Sequence, residues 1–496
     1  MCETIQVMLQ FPKVIQGGMG VGVSNWRLAQ AVSKLGQLGV VSGTALDSLF
    51  VRRLVDGDPG GNMRRGLDAF PFPAMARRVW QEYFVAGGKS AQAPYSLLPM
   101  HQSRAPRKLI ELCMVSNFVE VFLAREGHDN PVGVNYLEKV QMPHLYSIYG
   151  AMLAGVGYVL MGAGIPLHIP AVLDAFAAQR PAEYRLQVTG AAADFDSVMR
   201  FDPAEYAEGP LPILERPRFL AIVSSNTLAA TMLRRASGRV DGFVIEGATA
   251  GGHNAPPRGK LQLNAAGEPV YGERDRVSIP ELRALGVPFW LAGGYGNPEK
   301  LREALDQGAA GVQVGTAFAL SRESGLRGDL KAMLIEQALS GSGKILTDPL
   351  ASPTGFPFKV AQLEGTSSTA EIYQERKRVC DLGYLREPFV AADGKTAYRC
   401  AAEPVENYVA KGGDPAETVG RKCLCNALMS NVGHAQTRDG GASEPPLVTL
   451  GDDLNTVTRY LAPGATSYSA VEVVETLLGM GLASPDPLAR HAAAIT

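Results

Sequence analysis

Cysteine is scarce in this sequence, with six residues in 496, and the six are irregularly spaced. So few thiols cannot form a disulfide scaffold for a chain of this size, and a reducing compartment is expected. An excess of one charge is also lacking, because 47 Lys and Arg residues meet 49 Asp and Glu residues, for a formal net charge of −2. Such a balance does not favour nucleic-acid binding, and no like-charged tail is present.

A secretory signal is not expected either. The N-terminus reads MCETIQVMLQFPK, which has no basic start followed by an apolar core, so no secretory signal is predicted. A stretch without charged residues, positions 140–173, is long enough for a membrane span. Glycines and prolines divide it into short elements, so we predict a buried helix, a turn and a buried strand at 158–161. The expectation is a cytoplasmic protein without a membrane span.

What the chain does have is a large apolar fraction, 46%, arranged in short runs that alternate with helical patterns. Near-continuous apolar strands followed by helices are typical of a parallel sheet covered by helices, and eight such units suit a closed (β/α)8 barrel. Ser24 and Asn226 are the predicted N-caps of the helices that follow the first and fifth predicted strands. The predicted strands are residues 14–17, 38–42, 131–136, 158–161, 219–224, 242–246, 289–292 and 311–314.

Residues beyond the eight strand–helix units divide into two insertions and an extension. The fold class is therefore α/β, a TIM barrel over 11–345 with a long insertion after strand two, at about 48–130. Aromatic residues in this insertion suggest that it is ordered, and the barrel mouth is a place it could cover. A smaller insertion occupies about 179–216. Residues 346–496 form an appended region packed on the barrel, with a helical tail at 452–478.

Glycine-rich loops follow the strands at the end of a parallel barrel where function collects. The loops after strands seven and eight contain Gly293, Gly294, Gly315 and Thr316. Exposed backbone N–H groups at a helix start attract phosphate, and these two loops are the usual phosphate site of this barrel. The alternative is that the glycines only make tight turns.

Four segments carry a resemblance to a known family. They read IQGGMGVGVSN, VGVN, EGATAGGH and AGGYGNPEKLREALDQGAAGVQVGT. They resemble the signature regions of the nitronate monooxygenases, formerly 2-nitropropane dioxygenases, and of the related FMN-dependent enoyl-acyl-carrier-protein reductases. The similarity covers roughly residues 11–325 without the insertions, and its longest and most specific part spans strands seven and eight.

The resemblance implies an FMN-binding barrel and assigns residues to the cofactor. The phosphate would lie on Gly293, Gly294, Gly315 and Thr316. The flavin would be lined by Gly18, Met19 and Gly20, with Asn135 and Gln313 hydrogen-bonded to it, and Gly252 would let the backbone pass close. Considered from the residues alone, Asn135 could also be an ordinary turn residue.

His253 follows two glycines at the end of strand six. In the resembling family the histidine of this motif lies over the flavin, where it acts as a base or binds substrate, and the ordinary histidine pKa of about 6.5 suits that role. A structural loop histidine is the alternative. Family members commonly have a glycine soon after the histidine, whereas this sequence continues Asn254-Ala255-Pro256-Pro257-Arg258. The prolines stiffen this loop, so the departure affects the expected substrate pocket more than the flavin site.

Four late cysteines, Cys380, Cys400, Cys423 and Cys425, share the appended region. Four thiolates could hold zinc or an iron–sulfur cluster. Their spacing lacks the paired C-x₂-C motifs of a strong metal site, and free buried cysteines are ordinary in reducing compartments. The sequence leaves both interpretations open.

The leading functional hypothesis is an FMN-dependent oxidoreductase that oxidises a small nitronate or nitroalkane with O2. One alternative is an enoyl reductase for acyl thioesters, with NAD(P)H as co-substrate. A non-enzymatic alternative is a barrel that binds phosphate ligands or partner proteins. A small-molecule or acyl-thioester substrate is expected in either enzymatic case, with no nucleic-acid partner, and homo-oligomerisation is open.

Overall fold

The computed structural model describes residues 11–480. The prediction that no signal sequence is present rests mainly on residues 1–10, which lie outside the described residues. The strands are β1 Val14–Gln16, β2 Leu38–Ser42, β3 Val132–Leu137, β4 Tyr158–Gly162, β5 Ala182–Arg185, β6 Val198–Phe201, β7 Arg218–Val223, β8 Gly242–Glu246, β9 Phe289–Ala292, β10 Gly311–Val314, β11 Ile345–Asp348, β12 Phe358–Ala361, β13 Glu387–Val390 and β14 Thr396–Arg399.

Sixteen α-helices are described between and after these strands. They are α1 Trp26–Ser33, α2 Leu46–Val55, α3 Asn62–Asp68, α4 Pro73–Tyr83, α5 Arg107–Arg125, α6 His144–Leu153, α7 Ile169–Ala177, α8 Asn226–Arg235, α9 Ile279–Ala284, α10 Pro298–Asp306, α11 Thr316–Ala319, α12 Gly328–Ser340, α13 Ala370–Glu375, α14 Val405–Ala410, α15 Leu424–Ser430 and α16 Ala470–Leu477.

Eight parallel strands close into a barrel in the order β1-β10-β9-β8-β7-β4-β3-β2. The predicted TIM barrel is confirmed, and the eight predicted strands match the observed ones to within one residue at each end. Buried apolar side chains fill the interior, among them Ile15, Val40, Leu160 and Trp290. The indole N–H of Trp290 donates to the Pro12 carbonyl at 2.8 Å. Pro12 precedes β1, so this contact closes the N-terminal end of the barrel. A functional site is therefore expected at the opposite end, where the strands have their C-termini.

The two predicted N-caps are each wrong by one residue. Asn25 caps α1 by accepting from the backbone N–H of Leu28, and Ser225 caps α8 by accepting from Leu228. Ser24 instead turns into the loop after β1, where its hydroxyl donates to the Gly17 carbonyl at 2.8 Å. The Ser24 side chain, next to the true cap, therefore hydrogen-bonds to the loop after β1 and not to the end of the helix.

The long insertion is helical, comprising α2 to α5. Its last helix, α5, is buried along nearly its whole length and packs against α6 and α1. This insertion thus supplies the helix that covers β2 and β3. The smaller insertion contains the antiparallel hairpin of β5 and β6.

The appended region, called the extension below, carries two antiparallel hairpins, β11 with β12 and β13 with β14. The predicted helical tail is a 3₁₀ helix at Leu454–Tyr460 followed by α16. Helix α16 packs between α10 and α1, so it completes the ring of helices around the barrel. Positions 140–173 form α6, a turn and β4, and within residues 11–480 no helix is both long and apolar enough to cross a membrane.

Candidate active site

A deep cleft opens at the C-terminal ends of the barrel strands, with a volume of about 1210 Å³ including its open mouth. The structure brings the eleven predicted catalytic and flavin-site residues together in the walls of this cleft. They are Gly18, Met19, Gly20, Asn135, Gly252, His253, Gly293, Gly294, Gln313, Gly315 and Thr316.

The loop after β1 is held tightly against the neighbouring strands. The Ser24 hydroxyl accepts from the backbone N–H of Met19 at 3.0 Å, and Ser42 donates to the Gly20 carbonyl at 2.5 Å. A Cβ atom added to Gly18 would lie 2.3 Å from the Cβ of Asn135. Glycine is therefore required for these two predicted flavin-contacting segments to lie side by side.

Two features of the cleft fit a flavin mononucleotide. The side-chain oxygen Oε1 of Gln313 is buried and has no hydrogen-bond partner within residues 11–480, although an unpaired buried acceptor costs about 1–3 kcal/mol. Gly293 and Gly294 have φ angles of +91° and +74°, which favour glycine and leave the backbone bare at the cleft wall. The edge of a flavin ring could donate a hydrogen bond to the unpaired Gln313 oxygen. The phosphate of the same cofactor could accept from the bare glycine backbone.

The predicted phosphate end also contains a group that the sequence analysis missed. The Thr316 hydroxyl accepts from the backbone N–H of Gly451 at 3.0 Å and contacts the carboxyl group of Asp453. Burial raises the pKa of Asp453, which favours its neutral form. A neutral carboxyl can donate to a phosphate, whereas an ionised one would repel it. No sequence signal near strands seven and eight points to this residue, because it belongs to the extension.

His253 lines the cleft and is held by the extension. Its Nε2 lies 2.7 Å from the Ser352 hydroxyl, and its ring packs edge-on against Phe358 with centroids 4.8 Å apart. Burial lowers the pKa of His253 to about 4, so the imidazole is neutral at physiological pH. A neutral imidazole fixed by a hydroxyl on one nitrogen can accept a proton on the other.

Glu246, the last residue of β8, is a second ionisable group in the cleft wall. Burial raises the pKa of Glu246 to about 8, so its carboxyl group is largely protonated at neutral pH. The sequence analysis did not single out this residue. The signal was present, because a lone carboxylate ends the apolar run Gly242-Phe243-Val244-Ile245.

The described wall of the cleft contains no Lys or Arg, and its acidic and imidazole groups are Glu246, His253 and Asp453. Burial favours the neutral form of each of these three groups. Without a fixed positive charge the cleft offers little stabilisation to an anionic substrate. A neutral substrate fits this wall better.

The extension covers the cleft, and the long insertion does not. Phe358, Leu428, Leu450 and Asp453 belong to the extension and line the wall, whereas within the described chain no residue of 48–130 does so. The idea that the insertion covers the barrel mouth is therefore wrong. The physical reason is α5, which is apolar on most of its surface and is buried in the helix ring of the barrel.

The four late cysteines lie together, away from the cleft. Cys380, Cys400, Cys423 and Cys425 all line a small cavity of about 280 Å³ in the extension, called the cysteine cavity below. All four are free thiols. The metal site suggested by the sequence stays a prediction at this point, as do the individual roles of the flavin-site residues.

Residues 198–342 match the family model described as nitronate monooxygenase. This part of the barrel is therefore similar to the nitronate monooxygenase family. Segments of two curated proteins are also similar to this chain. A probable nitronate monooxygenase of Bacillus subtilis is 34% identical over 23% of this chain and 31% of its own length. A (3aS,4S,5R,7aS)-5-hydroxy-7a-methyl-1-oxo-octahydro-1H-indene-4-carboxyl-CoA dehydrogenase of Mycobacterium tuberculosis is 29% identical over 29% of this chain and 36% of its own length.

These matches span about a third of the length of each curated relative. Among solved structures, FabK of Thermotoga maritima aligns over 94% of this chain and 92% of its own, with 16% identity and a TM-score of 0.46. Nitroalkane oxidase of Streptomyces ansochromogenes aligns over 98% and 99%, with 15% identity and a TM-score of 0.44. The family match agrees with the expected FMN-dependent oxidoreductase.

Proposed function

We propose that this protein is an FMN-dependent oxidoreductase that acts on a neutral, electron-poor small molecule. The observation that carries the proposal is the wall of the cleft, where bare glycine backbone, the unpaired Gln313 oxygen and neutral His253 converge. Gly293, Gly294, Gly315 and Thr316 would hold the FMN phosphate, and Gly18, Met19, Gly20, Asn135, Gly252 and Gln313 would contact the flavin. Bound FMN would accept the electrons removed from a substrate and make them available to a second substrate.

The family match favours oxidation of a nitroalkane as the first candidate reaction. Because the described wall has no Lys or Arg, the substrate would enter more readily as the neutral nitroalkane than as the nitronate anion. Nδ1 of His253 would take the proton from the carbon next to the nitro group, while Ser352 holds Nε2. The protonated Glu246 carboxyl would donate a hydrogen bond to a nitro oxygen.

Reduction of an enoyl thioester is the second candidate, and one observation favours it. One relative is named as a carboxyl-CoA dehydrogenase, so a protein with a similar segment acts on a CoA thioester. The neutral cleft suits the thioester end of this substrate equally well. Glu246 or His253 would then supply the proton to the substrate carbon.

An anaerobic visible spectrum, recorded before and after NADPH is added, tests the proposal and separates the candidates. Flavin bands that bleach on NADPH and recover on addition of an enoyl thioester support the reductase. Bands that resist NADPH but bleach on addition of nitroethane support nitroalkane oxidation. A colourless protein that takes up no added FMN would contradict both.

A further inference from the structure

The cysteine cavity is the feature of the extension that the proposed function does not use. Its four cysteines come from three separate segments: Cys380 before β13, Cys400 directly after β14, and Cys423 and Cys425 at the start of α15. They are four of the five cysteines within the described chain, and the fifth, Cys113, lies on α5. Cysteines that served only as small apolar residues have no reason to gather at one cavity.

Hydrogen-bond donors lie near three of the four sulfur atoms in the cysteine cavity. Backbone N–H groups of Ala402, of Tyr384 and Leu385, and of Asn426 lie near the sulfurs of Cys400, Cys425 and Cys423 respectively. The Asn426 side chain also donates to the Cys423 sulfur at 3.5 Å. Donors aimed at sulfur stabilise a thiolate more than a thiol, and they are the usual supporting contacts of metal-bound cysteine.

Positive charge lies next to these donors. The guanidinium groups of Arg386 and Arg376 lie near Cys380 and Cys423 respectively. Nη2 of Arg376 is buried and has no hydrogen-bond partner among residues 11–480. Arg376 already pairs with Glu444 through its Nε, so its buried Nη2 offers a further donor beside Cys423.

The spacing of the sulfurs distinguishes between two kinds of metal centre. A tetrahedral zinc ion with Zn–S bonds of about 2.3 Å sets its four sulfurs about 3.8 Å apart. Within the described residues, no three of the four sulfurs lie within 4.8 Å of one another. A cluster with several irons places its cysteine ligands farther apart, because each sulfur binds a different iron.

We propose that Cys380, Cys400, Cys423 and Cys425 bind an iron–sulfur cluster of the four-iron type in the cysteine cavity. The gathering of four cysteines at one cavity, the sulfur spacing and the nearby donors together carry the assignment. The cluster would lie close to the cleft, because Leu428, three residues after Cys425 on α15, lines the cleft wall. Three residues correspond to a rise of about 4.5 Å along a helix.

Metal and sulfide analysis of the full chain tests this proposal directly. The protein is purified without oxygen from iron-supplemented cells, and iron, zinc and acid-labile sulfide are measured per chain. We expect about four irons and four sulfides, and a paramagnetic signal after reduction with dithionite. These readouts do not depend on flavin, so they are independent of the proposed function.

Variants then assign the ligands. Cys400→Ser and Cys425→Ser should each lose most of the iron and sulfide, whereas Cys113→Ser should retain both. Cys113 is the matched control because it is a buried free cysteine outside the cavity, close to Asp47 and His101. Loss of iron only in Cys113→Ser would place the metal in that other group and overturn the proposal.

Two results on the unaltered chain would also overturn the assignment, even if a serine variant failed to fold. One is a single zinc per chain without sulfide. The other is a protein that takes up no iron when ferric iron and sulfide are supplied anaerobically with a thiol reductant, which reduces part of the iron.

Discussion

Two ionisable side chains in the cleft have pKa values that burial moves in opposite directions. The pKa of His253 falls to about 4 and that of Glu246 rises to about 8. Burial disfavours whichever form is charged, so both groups are neutral over the pH range between these values. A pair of groups that remains neutral is a proton acceptor beside a proton donor, which is the division of roles that acid–base chemistry needs.

His253→Ala tests the proton acceptor. We expect turnover of neutral nitroalkanes to fall by about 10²–10⁴-fold, the usual contribution of a general base, while FMN binding remains. Turnover of a preformed nitronate should fall much less, because its proton is already gone. Steady-state rates with both substrates provide the measurement.

His168→Ala is the matched control for this experiment, because His168 lies before α7 and does not line the cleft. Equal turnover of neutral nitroalkanes by His253→Ala and the unaltered protein would remove the base role from His253.

Glu246→Gln tests the proton donor through its pH dependence. In the native state the pKa of Glu246 is about 8, well above the ordinary value of 4.5. The folded protein therefore keeps the carboxyl proton at pH values where the unfolded chain has lost it. The stability that the proton contributes is therefore complete below about pH 4.5 and is lost as the pH rises through about 8, at no more than about 1.4 kcal/mol per pH unit.

The glutamine variant should lack this loss of stability and also lack the alkaline fall in kcat/KM. Urea unfolding at several pH values, together with a rate profile, measures both. An unchanged alkaline limb in the variant would assign that limb to another group.

At the scale of elements, the loop at 449–453 connects the loops after β8 and β10. Gly252 donates to the Thr449 hydroxyl at 2.8 Å, Gly451 donates to Thr316 at 3.0 Å, and Asp452 donates to the Thr249 carbonyl at 3.0 Å. Tyr460 adds a hydrogen bond to the Gly296 carbonyl in the loop after β9. The predicted phosphate end is thus built by the barrel and the extension together.

Asp453→Asn tests this element. Removing a carboxylate from beside the phosphate should tighten FMN binding, by about tenfold at pH 8, or 1.4 kcal/mol. The difference in the FMN dissociation constant between the variant and the unaltered protein should become smaller as the pH falls. The raised pKa of Asp453 means that its carboxyl group becomes protonated, and therefore neutral, at a higher pH than an ordinary aspartate. Fluorescence titration of the flavin-free protein measures the dissociation constant.

Asp393→Asn, in the exposed turn between β13 and β14, is the control for a general loss of negative charge. Weaker FMN binding by Asp453→Asn would mean that the carboxyl group holds the cofactor by donating to it.

The elements were predictable from the sequence where short-range signals decide them. Apolar runs bounded by glycine gave the barrel strands, and β2, β8, β9 and β10 match the prediction residue for residue. The glycine loops were placed at the cleft because parallel strands bring their ends together. Asp453 was not predictable, since it contacts Thr316 from 137 positions away and no local pattern encodes that contact. Glu246 was readable in principle as a carboxylate ending an apolar strand.

At the scale of the whole molecule, the extension is part of the hydrophobic core of the barrel. Leu454, Val457, Tyr460 and Val473 belong to the same buried cluster as the barrel helices. The 3₁₀ helix at Leu454–Tyr460 packs on α12 and α11, and α16 packs on α1. The barrel and the extension should therefore unfold together, because neither can lose the other without exposing apolar surface.

Leu454→Ala tests this integration, because Leu454 is 2% exposed and packs against the turn that follows α12, at Gly343. Truncating a buried leucine costs about 2–5 kcal/mol, and we expect that loss in a single unfolding transition followed by both near-ultraviolet circular dichroism and flavin release. Leu339→Ala on α12 is the matched control, since Leu339 is 57% exposed and exposed substitutions change stability by about 0.5 kcal/mol or less. If Leu454→Ala separated unfolding into two transitions, with flavin released in only one, the extension would be an independent domain. The cleft would then owe its wall to docking between two folded units, and both His253 and the phosphate end would depend on that docking.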